Sequence, residues 1–422
     1  MTRVLLFSTT TGYQLRSYDE AASRRGVEIV LATDRCHQLD DPWRDRAIAV
    51  RFYDVSSSLE AIEKEAAKGA FSAVLSVGDR PTILAASAAA RLGLPGNPVD
   101  AAAASVDKRE ARKRFAAAGL TVPRHSVVAA DDEIRAAARD PRITYPCVLK
   151  PTGLSGSRGV IRADNASEFV AAAIRIRALL ARPEIRAERS GSDVILVEEF
   201  VPGREYAVEG VLTHGALHVF TIFDKPDPLD GPFFEETIYV APSALDAAAS
   251  EAVRGTVERG ARALGLRHGP IHAELRLTPA GMVLLEIASR PIGGLCSSAL
   301  RFEGGASLED VLLDHALGGD AAVRRRERAA SAVMMIPIPK RGLLKRVEGE
   351  DRARARPGVT DVRITAKQDQ LLEPLPEAGS YLGFIFASAG TASLAERAVR
   401  EAHGDLIFTI DPALKVVAAD AR

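Results

Sequence analysis

The sequence predicts a multidomain α/β and α+β protein, with an open parallel sheet at the N-terminus, two further units in the middle and a small α+β domain at the C-terminus. Three observations carry this. The 422 residues exceed one compact core of roughly 100–200, so roughly two to four domains are expected. The first hundred residues alternate short β-branched runs with Ala-, Arg- and Glu-rich helical stretches. The chain is punctuated at Leu94-Pro95-Gly96-Asn97-Pro98 and again at the Arg-rich segment Ala322–Ala330. The domains expected are therefore 1–97, 98–200, 201–320 and 325–422.

In the first domain Val4–Ser8, Val27–Ala32 and Ala73–Val77 read as strands, and Gln14–Arg25, Leu59–Lys68 and Pro81–Leu92 as helices. A long helix is expected over Val99–Ala118, stopped by Gly119. Ser126–Val128, Cys147–Lys150 and Val194–Glu198 are β-type runs. Residues 206–290 alternate as strands do, and the last unit ends near Phe408–Ile410. No solenoid repeat is visible.

With 55 basic against 56 acidic side chains, the chain lacks the basic surplus that nucleic acid or an anionic membrane requires. Cys36, Cys147 and Cys296 lie far apart, without metal-site spacing, which argues against a disulfide framework or zinc and fits a reducing, cytoplasmic setting. The N-terminal apolar run is too short for a signal peptide, and no segment approaches the length of a membrane span.

Three constellations carry chemistry. First, Cys147-Val148-Leu149-Lys150-Pro151 places a lysine at the end of a buried strand, just before the Gly/Ser-rich loop 153–159. Glycines let backbone N–H groups approach phosphate oxygens, and the lysine adds a point charge. A solvent loop after a strand is the other reading, and the lysine precedes the glycines, unlike a Walker A loop. Second, the strand Val194–Val197 runs into Glu198, Glu199, Phe200 and Val201, with Glu205 beyond a Pro-Gly turn. An apolar slot followed by a carboxylate suits a nucleotide base and ribose, although an acidic strand end can simply be solvated.

Third, His272-Ala273-Glu274-Leu275-Arg276 and Leu284-Leu285-Glu286-Ile287-Ala288-Ser289-Arg290 flank the turn Thr278-Pro279-Ala280-Gly281. Side-chain alternation puts His272, Glu274 and Arg276 on one face, and Leu284, Glu286, Ala288 and Arg290 on one face of the returning strand. Glu274 and Glu286 then lie about opposite each other, an oxygen-only pair suited to Mg²⁺. An exposed charge cluster with Arg276 and Arg290 as partners is the alternative.

In this order and spacing the constellations resemble the ATP-grasp enzymes, from Met1 to about Ile410, and Glu286-Ile287-Ala288 through Arg290, with Pro291-Ile292-Gly293-Gly294 following, is similar to the amino-acid ligase (dipeptide synthetase) part of the carboxylate–amine ligase branch. The resemblance implies ATP-grasp central and lid domains after the N-terminal sheet, and a closing domain around Gly379–Phe384. It implies that Lys108 and Lys150 face the nucleotide, that Ser155, Gly156 and Ser157 belong to a phosphate-covering loop, and that Glu198, Glu199, Phe200 and Val201 form the adenine hinge. Glu205 would hold the ribose, Glu274 and Glu286 Mg²⁺, and Arg290 would steady an acyl phosphate, with His272 beside it as a phosphate contact or proton acceptor. The activity implied is ATP- and Mg²⁺-dependent coupling of a carboxylic acid to an amine by a cytoplasmic homodimer. Other ATP-grasp chemistries (a formate-dependent transformylase or a carboxylase), a small-molecule kinase and a non-catalytic nucleotide binder stay open. Ala288 departs from the family's usual Asn, which removes one ligand near a second metal. The loop Asp224–Tyr239, with Lys225, Glu235, Glu236 and Tyr239, is a candidate for recognising the acid or the amine.

Overall fold

The computed structural model describes residues 2–9, 12–34, 47–129, 131, 133–187 and 194–413; Cys36 lies outside them. The N-terminal strands Thr2–Ser8, Val27–Thr33, Ile48–Ala49 and Ala73–Val77 form the expected parallel sheet, with Thr2–Ser8 between Val27–Thr33 and Ala73–Val77. Its central strand is fully buried from Val4 to Phe7, as a parallel strand covered on both faces must be. Ligands of such open sheets bind beyond the carboxyl ends of the strands, and the turn after Ala73–Val77 delivers Gly78 and Asp79 there.

The expected helix over 99–118 is two helices, Val99–Val106 and Lys108–Ala117. Asp107 has extended backbone (φ −104°, ψ 105°), and its carboxylate accepts from the N–H groups of Arg109 and Glu110. A side chain that caps a new helix competes with continuation of the old one. The break aims Lys108 into the molecule.

Residues 125–199 build a four-stranded antiparallel sheet in the order His125–Val128, Ile195–Glu199, Cys147–Pro151, Ile161–Ala163, packed on the helix Ala166–Leu180. The remaining large sheet has eight strands: Gly281–Ala288, Gly269–Thr278, Arg204–Thr213, Ala216–Asp224, Ile238–Ala241, Ala330–Ile336, Gly383–Ala389 and Val359–Ile364. The C-terminal unit is thus joined to the catalytic region edge to edge, because Ile238–Ala241 pairs with Ala330–Ile336. Met335, Phe384 and Phe386 share one apolar core with Phe223 and Tyr239. No helix among the described residues is long and apolar enough to cross a membrane.

Candidate active site

The N-terminal sheet, the lid sheet and the large sheet meet around one cavity of about 500 Å³. Every residue singled out above as catalytic, nucleotide-facing or metal-binding lines it.

On the lid side, Glu198 is 2% exposed and lies between two cations: Arg112 Nε donates to Oε1 at 2.6 Å, and Lys150 Nζ is 2.7 Å from Oε2. Burial alone would raise its pKa, but Arg112 and Lys150 hold it down to about 2. Lys108 Nζ donates to Leu154 O at 2.8 Å and lies 3.5 Å from Glu286, so one ammonium joins the loop to the hairpin that carries Glu274 and Glu286. In the loop, Gly156 has φ +63° and sits against Gly379, and Gly159 N–H donates to Pro376 O at 2.8 Å. A left-handed backbone at Gly156 explains why glycine is needed there. The Ser155 hydroxyl helps hold the Asp79 carboxyl below its usual range. In the hinge, the Glu199 carboxylate turns to Arg124 at 2.6 Å, Phe200 N–H donates to Pro146 O, and Val201 O accepts from Arg276 at 2.6 Å.

On the opposite wall Glu274 and Glu286 are direct cross-strand partners. The expected face of the returning strand is only partly correct. A β-bulge after Glu274 leaves Leu285 as an extra residue, so Leu284 turns into the core with Ile287 while Leu285, Glu286 and Ala288 line the cavity. Arg112 stabilises the bulge by donating to the carbonyls of Leu284 and Leu285 at 3.0 and 2.9 Å. Arg276 is no partner of Glu274 or Glu286, and the cluster is not a solvated one: Arg276 is 3% exposed and donates to Glu205 at 2.9 Å, while Arg290 forms a bidentate pair with Asp79 at 2.8 and 3.2 Å. Against the cost of its burial, Arg290 and Lys108 hold Asp79 below the usual carboxylate range.

Glu205 also meets Lys225 Nζ at 2.7 Å. That ammonium contacts Glu236 as well, and Glu274 at 3.1 Å. Lys225 is therefore absent from the cavity surface, as is Glu235, whereas Glu236 and Tyr239 line it. Burial and the neighbouring Glu274 push Glu236 upward, and Lys225 and His272 hold Glu274 well down in spite of its own burial. His272 Nδ1 lies 3.1 Å from the fully buried Glu209, and its Nε2 3.6 Å from Glu274. Burial would lower His272, but Glu209 and Glu274 raise it to about 9.

Glu274 and Glu286 present only oxygen, with partial exposure toward the cavity, and this donor set fits Mg²⁺. Sequence reasoning missed Asp79, Arg112 and Glu209. Asp79 had a signal, since it follows a strand at the carboxyl edge of the parallel sheet. Arg112 had none, being one of several basic residues in Lys108–Arg114.

An ATP-grasp domain matches residues 143–299, an ATP-grasp N-terminal domain 19–96 and an L-amino acid ligase C-terminal domain 334–411. The chain belongs to the ATP-grasp superfamily. Within it, the chain is similar to the carboxylate–amine ligases, through the C-terminal match at 334–411 and its ligase relatives. It is 34% identical to a D-alanine–D-alanine ligase of Aromatoleum aromaticum over 46% of this chain and 60% of that protein. It is 29% identical to an alanine–anticapsin ligase of Bacillus subtilis over 54% and 50%. The chain thus spans between half and two thirds of these two ligases. The protein y4rH of Sinorhizobium fredii matches at 28% over 98% of this chain and 84% of its own. The crystal structure of L-amino acid ligase from Bacillus licheniformis superposes with a TM-score of 0.80 over 97% of this chain and 99% of that one, at 22% identity, a likeness of fold.

Proposed function

We propose that the protein activates the carboxylate of an amino acid as an acyl phosphate with ATP and joins it to an amine, giving an amide or dipeptide with ADP and phosphate. The observation that carries this is the convergence, on one cavity, of two lysines beside a glycine-rich loop, an arginine and an opposed pair of carboxylates. Lys108, Lys150 and the loop amides of Ser155, Gly156 and Ser157 hold the triphosphate. The hinge from Glu198 to Val201 holds the base, and Glu205 the ribose. Glu274 and Glu286 hold Mg²⁺, which neutralises phosphate charge when bound.

The substrate carboxylate attacks the γ-phosphorus, the bond to the leaving ADP oxygen breaks, and Arg290 stabilises the charge on the transferred group. Asp79 fixes the Arg290 guanidinium in one plane through two hydrogen bonds, so little reorientation is needed during the step. Loop 153–159 shields the acyl phosphate from water until the amine attacks and phosphate leaves. His272, which Glu209 and Glu274 raise to about 9, stands on the same wall as a phosphate contact or proton acceptor. A cytoplasmic homodimer belongs to the same reading, and sedimentation of the purified chain checks the dimer.

Hydroxylamine tests the reaction class. It traps an activated acyl group as a hydroxamate, so a hydroxamate should form only with ATP, Mg²⁺ and the right amino acid together. ADP release without any hydroxamate overturns the ligase reading in favour of a kinase.

A further inference from the structure

Lys225 is a buried charge behind the cavity wall that the mechanism above leaves unused. It follows the strand Ala216–Asp224 directly, is 5% exposed, and stands behind Glu205, Glu236 and Glu274, which do reach the cavity. Its three N–H bonds meet three carboxylates, so it is saturated and reaches a phosphate only by giving one of them up. The second oxygens of two of these carboxylates are also taken: Glu205 Oε2 accepts from Arg276 at 2.9 Å, and Glu236 Oε2 from the Tyr239 hydroxyl at 2.7 Å. Glu274 alone keeps an oxygen outside these hydrogen bonds and faces Glu286 across the hairpin.

Oxygens of Glu205, Glu236 and Glu274 lie within 4.8 Å of one another, which without the lysine is an oxygen cage suited to a divalent cation. Beside it, Ala288 offers no ligand. We propose that Lys225 is a positioning residue, a fixed protein cation that keeps divalent metal out of this cage, so that the site holds one divalent ion, on Glu274 and Glu286, rather than two. The proposal rests on the Mg²⁺ reading given under the proposed function.

Counting bound Mn²⁺ by electron paramagnetic resonance, on the full chain in excess over a non-hydrolysable ATP analogue, separates the two. We expect one Mn²⁺ per bound nucleotide in the wild type and two in Lys225→Met, whose melting temperature should rise more with Mn²⁺ than the wild type's does. Two in the wild type overturns the proposal and leaves the Mg²⁺ reading standing. Wild-type Mn²⁺ binding that survives Glu286→Gln unchanged overturns the Mg²⁺ reading itself, and the proposal with it. One in both wild type and Lys225→Met overturns the role of the lysine. If Lys225→Met does not fold, Glu236→Gln decides. Its single Mn²⁺ should bind with unchanged affinity, and a lost ion would place the metal in the cage and overturn the proposal.

Discussion

Glu198 and the Glu205–Glu236–Glu274 cluster face the same cavity, yet their charges are balanced in opposite ways. Glu198 has two cations, Arg112 and Lys150, to one carboxylate. The cluster has three carboxylates to Lys225 and Arg276, and His272 beside Glu274 is itself matched by Glu209. A surplus of positive charge on the lid wall suits phosphate, and a surplus of negative charge on the opposite wall suits a metal cation. These groups are buried or half-buried, so neither surplus is screened as fully as it would be at the surface. The cavity is thus polarised before any ligand enters, and each wall can be perturbed separately.

The largest effect is expected on the anionic wall. Glu286→Gln should lower ADP release at saturating Mg²⁺ by about 10²–10³ or more, because a charged ligand becomes a neutral amide of the same shape. Unchanged turnover, with circular dichroism showing an intact fold, would remove Glu286 from the metal site. On the cationic wall the effect should fall on stability. Arg112→Met strips Glu198 of one partner and leaves the bulge carbonyls of Leu284 and Leu285 without their donor, so urea unfolding should show a loss of about 3–5 kcal/mol. If the loss is below about 1 kcal/mol, the ion pair is a surface-like one.

The two walls should also respond to pH with opposite sign. Glu198 is held at about 2 when folded against an unfolded value near 4.5, so its contribution is present above 4.5 and is lost as pH falls toward 2, about 3 kcal/mol in all. Glu236 is shifted upward, so its contribution is present in acid and is lost as pH rises through its folded pKa. Glu198→Gln should flatten the acid limb of a stability–pH curve and Glu236→Gln the higher limb. If either substitution changes the other's limb, the assignment fails. The smallest effect is on binding: Lys150→Ala removes a charge-assisted phosphate contact of about 1.5–3 kcal/mol, and calorimetry should show ATP affinity down about tenfold. An unaltered affinity would leave Lys150 as a partner of Glu198 and nothing more.

The order of the three constellations, the parallel N-terminal sheet and the pairing of Glu274 with Glu286 were all readable from the sequence, because strand alternation and a tight turn are local rules. The glycines of loop 153–159 stood out in the sequence, whereas the left-handed backbone at Gly156 is visible only in the structure. What the chain alone could not show is which charges meet. Arg112 reads as one more exposed helix residue until Asp107 breaks the helix and turns that face onto Glu198. Arg290 finds Asp79 across 211 residues, and Lys225 gathers carboxylates from three other segments. The Leu285 bulge, which reverses the facing of Leu284, depends on carbonyl partners supplied by Arg112 from a distant helix. Residue types and their local periodicity set the elements and the kinds of chemistry available. Tertiary packing alone decided the partners, because the charge state of a buried group depends on what lies within a few ångströms in space, however far away it is in sequence.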